Sequence, residues 1–340
     1  MSYLYITDNG SILGILGGKF IVKKNNEIIK EIPQKRVEAV YIIGNSTITT
    51  PCMQYLLVNN IPTCFFSIRG KYYGRLQSVF SNNIELEQLQ IKCFKNDKFS
   101  IELSKSIIDA KINNQITIIN RYNKDNDCVN ENELQMKKMR RKVEQSKLIS
   151  ELRGYEGIAA KLYFKSIGEI IKKEYKFYNR SKRPPKDPFN SMISFGYTII
   201  SNEIFSVLQN LKLNPYCGFM HKSRNKFPAL VADLIEEWRA ILIDSTVLAM
   251  INGGEVKLDD FMVNVNDGSI FLSNNLIKKY INKIENKLNK QIKYLKYTNN
   301  EYTYRECFYI QCNKIKECIR ENRFDLYKPI LIRWIEQVLK

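Results

Sequence analysis

The sequence predicts an α+β fold: a small β-rich N-terminal domain followed by a larger all-α domain. Three observations carry this. Over residues 1–95, short runs of β-branched and aromatic residues change period every few positions and are punctuated by Gly, Asn and Asp turns. From residue 98 the apolar residues recur at three and four almost to the end. The two regimes meet near residues 93–98, which sets the expected domains at 1–95 and 98–340. With 340 residues and 44% hydrophobic content, the chain can bury cores in both.

Taken in order, the strand candidates are "SYLYIT", "KFIVKK", "EIIKEIP", "VEAVYIIG" and "IPTCFFSI". The first lacks a basic leader and is followed by Asp8, Asn9 and Gly10, so it reads as a strand and not as a signal peptide. Asn25-Asn26 lies between two alternating runs, where a tight hairpin turn belongs. One helix interrupts: Thr50-Pro51 opens "CMQYLLVNN", with proline where a first helical turn tolerates it.

Beyond residue 98, "SIELSKSIIDAKINNQITIINRYN" is helical, and the polar "NRYNKDNDCVNENE" reads as a mobile connection. A helix of more than forty residues is then expected from "ENELQMKKMRRKVEQ" onward, with Gly154 and Gly157 allowing a bend or a close helix approach. In "RPPKDPFN", Asp187 is a good N-cap and Pro188 a good first residue, predicting a helix over 188–208. Pro228 begins another, to about Ile251, closed by Asn252-Gly253-Gly254. Its most apolar part, 240–251, is far short of the ~20 residues a membrane span needs. We therefore expect no membrane partner and a cytoplasmic location. Eight cysteines without a CxxC pair signal neither a disulfide framework nor a zinc ribbon.

The formal charge of +18 favours a polyanionic partner, with nucleic acid foremost. The lone histidine, His221, precedes an acidic helix. On an ideal helix Leu230, Val231, Leu234, Ile235, Trp238, Ile241 and Leu242 form one stripe, with Asp233, Glu236, Glu237 and Ala240 on the other side. Glu236 stands roughly 12 Å along the helix from Pro228, and the segment back to His221 spans about 20 Å when extended, so a returning loop can join imidazole to carboxylates. One histidine with two carboxylates suits Mn²⁺ or Mg²⁺. The best remaining ligand is Glu156 in "ELRGYEGIAAKLYF", whose flanking small residues would let another helix approach and place it in a packed interior. A structural histidine and solvated acidic faces fit the same residues. Tyr163 fits either the site or the core.

"GYEGIAAKLYF", "RPPKDPFNSMISFGYTII" and "GFMHKSRNKFPALVADLIEEWR" occur in the order and approximate spacing of the CRISPR-associated integrase family, the universal adaptation endonuclease. The segments "LYITDNGSILGILGGKFIVKK", "IPQKRVEAVYIIGNSTITTP" and "IPTCFFSIRGKYYGRL" also resemble that family's β-rich domain, so the resemblance covers nearly the whole chain. It implies a homodimer formed through the N-terminal domain and an α-helical catalytic domain. The implied activity is insertion of short foreign DNA segments (spacers) into a CRISPR array by 3'-hydroxyl transesterification.

The resemblance further implies that Glu156, His221 and Glu236 are the catalytic ligands of Mn²⁺ or Mg²⁺. Asp233 is then a ligand or a support for Glu236. Lys222 and Arg224 are expected to hold DNA phosphates, together with Arg183 and the basic helix bearing Lys137 and Arg141. Implied partners are double-stranded, branched and CRISPR-repeat DNA and the small second adaptation protein. One departure is Ala240, where many relatives have proline. A structure-selective repair nuclease and a non-enzymatic basic DNA-binding protein are the alternatives.

Overall fold

The computed structural model describes residues 2–78, 83–175, 177–181, 184–221 and 225–332. Two compact units are present: residues 1–81 with 260–262 and 271–279, and residues 82–259 with 263–270 and 280–340.

The first unit holds two four-stranded sheets. In one, β1 (Ser2–Ile6), β5 (Val37–Ile43) and β7 (Thr63–Phe66) run parallel, and β8 (Tyr72–Leu76) closes antiparallel. The other has the order β4 (Glu27–Pro33), β3 (Lys19–Lys24), β2 (Ile12–Leu16), β6 (Thr47–Ile48). Asn25 and Asn26 have φ of 51° and 66°, the left-handed conformation that a two-residue hairpin needs and that asparagine adopts most readily after glycine. Leu4, Leu13, Phe20, Val40 and Ile42 form the core, onto which α1 (Thr50–Val58) folds Cys52 and Leu56.

The second unit is mostly helical. The helix α2 (Ile84–Phe94), capped by Asn83, belongs to it, so residues 93–98 fall between this helix and α3 (Asp97–Tyr122), inside the helical unit. Only residues 123–126 separate α3 from α4 (Asp127–Gln145). The expected forty-residue helix is two helices. Ser146 turns to an extended conformation, and α5 (Ile149–Ile170) starts afresh where the Glu151 carboxylate accepts the N–H groups of Lys147 and Leu148 at 2.9 and 3.3 Å. Nor do the two glycines bring helices together: a Cβ at Gly154 or Gly157 would meet nothing within 4 Å.

The next helix, α6 (Pro188–Asn210), keeps the expected cap, with Asp187 accepting Asn190 N–H at 2.7 Å. The acidic helix is broken rather than ideal. It comprises α7 (Ala229–Leu234), the single turn α8 (Glu236–Trp238), a π-helical stretch Arg239–Asp244, and α9 (Ser245–Asn252). Its acidic side is buried too: Asp233, Glu236, Glu237 and Ala240 are each no more than 3% exposed, which removes the solvated-face alternative. The chain continues through α10 (Asn274–Leu288) and α11 (Tyr304–Glu321), with short strands Phe261–Val263, Ile270–Leu272, Gln291–Ile292 and Tyr302–Thr303. Among the described residues no helix is long and apolar enough to cross a membrane, and all eight cysteines are free thiols.

Candidate functional site

Three chain-distant segments of the helical unit converge on one cavity of about 1190 Å³, lined among others by Glu156 from α5, His221 from the loop before α7, and Glu236 from α8. The loop is held by its own neighbourhood. Gln90 on α2 donates to the carbonyls of Asn214 and Cys217 and accepts Asn214 N–H, all at 2.9–3.0 Å. On the other side, Arg153 of α5 donates to the Met220 carbonyl. Between these anchors lies Gly218, where a Cβ would stand 2.6 Å from the Ala229 carbonyl carbon and 2.7 Å from Asp233 Oδ2, so only glycine fits.

Asp233 is the hub of this loop. Its Oδ2 accepts Phe219 N–H at 2.6 Å and Met220 N–H at 3.1 Å; its Oδ1 accepts His221 N–H at 2.9 Å and lies 2.7 Å from His221 Nδ1. A carboxylate offers about four lone-pair positions, and these four contacts take them all. Facing a carboxylate, Nδ1 is the nitrogen that carries the proton, which turns Nε2 into the imidazole's free acceptor.

The two glutamates are joined by a residue that spacing and residue type do not single out. Lys111, on α3, forms ion pairs with Glu156 Oε1 and, at 2.7 Å, with Glu236 Oε2. The second pair lacks hydrogen-bond alignment, and Glu236 Oε2 is a buried oxygen with no hydrogen-bond donor. Arg239 Nη1 approaches Glu236 Oε1 at 3.2 Å, while its guanidinium lies 4.9 Å from the centre of the Tyr197 ring. Burial by itself would raise the Glu236 carboxyl, but Arg239 and Lys111 outweigh it and hold the group well below the ordinary carboxylate range. Conversely, burial pulls the Lys111 ammonium down, and Glu236 and Glu156 more than restore it.

The donor set of two carboxylates and an imidazole is one that Mn²⁺ or Mg²⁺ accepts, and the buried Glu236 Oε2 already faces a cation, the Lys111 ammonium at 2.7 Å. Yet among the described residues no three His, Cys, Asp or Glu side chains are gathered closely enough to hold one ion. The reason is visible: Lys111 occupies the space between Glu156 and Glu236, and His221 is turned to Asp233.

The other residues expected from the sequence fall into two sets. Lys222, Arg224 and Arg183 lie outside the described residues. Lys137 and Arg141 line a different, mixed-charge groove on α4, where Lys137 pairs with Glu133 at 2.6 Å. Tyr163 is fully buried and donates to Asp244 at 2.9 Å, which makes it a core residue. Among the described residues, Arg180, Lys161 and Lys165 supply positive charge to the cavity wall, with Tyr178 and Phe227 as aromatic surfaces. One sign of Lys111 was present in the sequence: Ser104, Lys111, Asn114 and Gln115 fall on the same side of α3 as Ile107, Ile108, Ile112, Ile118 and Ile119.

Comparison with known proteins gives concordant results. A family model described as "CRISPR associated protein Cas1" matches residues 4–286. The CRISPR-associated endonuclease Cas1 of Mycobacterium tuberculosis is 30% identical over 319 residues, 94% of each chain. Among solved structures, a chain of a Cas6-RT-Cas1–Cas2 complex superposes with a TM-score of 0.85 at 25% identity, over 98% of this chain and 36% of that longer one. A casposase bound to an integration product shares the fold, with a TM-score of 0.83 at 22% identity over 100% of this chain and 97% of the casposase.

Proposed function

The chain belongs to the Cas1 family of CRISPR-associated proteins, and on that premise we propose that it is a metal-dependent DNA endonuclease and integrase that joins short DNA segments to a CRISPR array. The carrying observation is the convergence of Glu156, His221 and Glu236 on one cavity whose wall also carries Lys111, Lys161, Lys165, Arg180 and Arg239. These three residues would hold Mn²⁺ or Mg²⁺, through the glutamate carboxylates and His221 Nε2. Bound there, the ion would supply Lewis-acid polarisation of a phosphodiester and lower the cost of deprotonating the attacking hydroxyl.

The chain's own groups do the rest. Asp233, with every lone pair committed to residues 219–221, positions His221 and is not itself a ligand. Arg239 and Arg180 set positive charge where a phosphodiester gains negative charge. Tyr178 and Phe227 offer faces on which unpaired bases stack. A 3'-hydroxyl entering this cavity gives strand transfer and water gives hydrolysis, so one arrangement serves both reactions.

The partners on this reading are double-stranded, branched and CRISPR-repeat DNA and a small Cas2-like protein, the last supported by the Cas6-RT-Cas1–Cas2 complex. A homodimer through the β-rich unit is supported by the edge strand β4, which leaves Ile28 and Ile29 exposed.

The test is strand transfer of a labelled 3'-hydroxyl oligonucleotide into a repeat-bearing duplex, with Mn²⁺ and with chelator. Activity that needs the ion and disappears in folded Glu156→Gln, His221→Ala and Glu236→Gln supports the proposal. Full activity in chelator, or in these variants, overturns it.

A further inference from the structure

Lys111 is a buried lysine, with its side chain 8% exposed. It sits on the wall of the cavity and touches both Glu156 and Glu236. With Arg239 it brings two positive charges to two carboxylates, a local balance near zero. A divalent ion taken up by the same carboxylates would add two further positive charges within a few ångströms of the ammonium, and such like charges repel strongly where water is scarce. Something must yield. Arg239 is held by its stacking on Tyr197 and its contact with Glu236 Oε1, whereas a lysine stem is flexible and ends in a compact point charge. The cavity, about 1190 Å³, gives that stem room to swing.

We propose that Lys111 is a built-in counter-ion of the Glu156–Glu236 pair, which a divalent metal displaces, and that the released ammonium then pairs with a DNA phosphate in the same cavity. This rests on the metal-dependent reading above and adds a coupling to it. Metal loading prepares a phosphate contact, and, because linkage is reciprocal, bound DNA favours metal loading by drawing the ammonium away from the carboxylates. Lys111 acts here as a positioning residue for the metal site.

The experiment measures Mn²⁺ affinity by electron paramagnetic resonance of free Mn²⁺, on the full-length wild-type, Lys111→Met and Lys111→Arg proteins. The affinity of each for a 3'-overhang duplex is measured with and without Mn²⁺. Removing the charge is expected to tighten Mn²⁺ binding about tenfold or more, because the competing cation is gone. It should also shrink the strengthening of DNA binding by Mn²⁺, while Lys111→Arg stays near wild type in Mn²⁺ affinity. A Lys111→Met protein that folds only when Mn²⁺ is added, with a melting temperature that climbs as Mn²⁺ is titrated, supports the proposal as well, since the ion replaces the ammonium. Unchanged or weaker Mn²⁺ binding in folded Lys111→Met overturns it, as does a variant that stays unfolded in millimolar Mn²⁺. If wild type itself binds no Mn²⁺, the metal-dependent reading fails along with the inference. If wild type binds and Lys111→Met binds no tighter, the inference alone fails.

Discussion

Glu236 and Glu237 are chain neighbours, both buried, and the protein treats them in opposite ways. Glu236 is surrounded by cations, faces the cavity and is held strongly acidic. Glu237 points into the core, where its oxygens accept the Tyr327 hydroxyl at 2.6 Å, the Ile330 N–H at 2.8 Å and the Gln311 amide at 3.2 Å. Burial raises its carboxyl to about 7, offset only in part by those neutral donors. Burial therefore says little about whether a carboxylate works or merely holds. The neighbours decide: cations and an open cavity on one side, hydroxyl, amide and backbone on the other.

The sharpest way to break this contrast is to neutralise each acid in turn. Glu236→Gln or Glu156→Gln should cut strand transfer by about 10³-fold, ~4 kcal/mol of barrier, and Glu236→Gln should also lower the melting temperature, because buried Lys111 and Arg239 lose a charged partner. Glu237→Ala should act on stability alone. It strands the donors of Tyr327, Gln311 and Ile330 and lowers unfolding free energy by about 3 kcal/mol in a denaturant titration, while activity per folded molecule holds.

Asp244 extends the comparison to pH. It is 1% exposed, accepts from Tyr163 and Tyr197, and burial raises its carboxyl from 3.8 to about 6 against the pull of those hydroxyls and of Arg180 and Arg239. With the folded value above the unfolded one, the fold favours the protonated form. That contribution is complete below about pH 4 and lost as the pH rises through about 6. Thermal melts should show wild type losing up to ~3 kcal/mol relative to Asp244→Asn between about pH 4 and 7; parallel curves would place the charge compensation elsewhere. The mildest expected effect is on Asp233. Asp233→Asn keeps one acceptor and turns the other into a donor facing backbone N–H groups, so activity should fall about 10- to 100-fold, and Mn²⁺ affinity with it.

Much of this molecule was legible in its sequence because local rules were obeyed. The Asn25-Asn26 hairpin, the Asp187-Pro188 helix start and the convergence of His221 with Glu236 each follow from residue type and spacing. What was missed depended on tertiary partners. The ideal-helix projection of residues 228–251 set Asp233, Glu236, Glu237 and Ala240 on one side and left a solvated face open as a reading; the helix is broken three times and all four are buried. Gly154 and Gly157 suggested close packing, and they face open space. Asn83 carried a readable cap for α2, obscured by the β-rich run before it. Lys111 was hidden by its type: a lysine on a long helix reads as a solvated charge until α5 and α8 are seen to close over it.

The wide turn at residues 239–244 has a further consequence. A π-helical stretch spends an extra residue per turn, which shifts the rotational phase of the following helix by about 100° relative to an uninterrupted one. The lock formed by Tyr163, Tyr197 and Asp244 is thus in register with Glu236 only because of that shift. Removing a single residue from this turn would leave the composition almost untouched yet misphase the two halves. The length of this segment is accordingly as much a part of the protein's specification as the identity of any side chain in it.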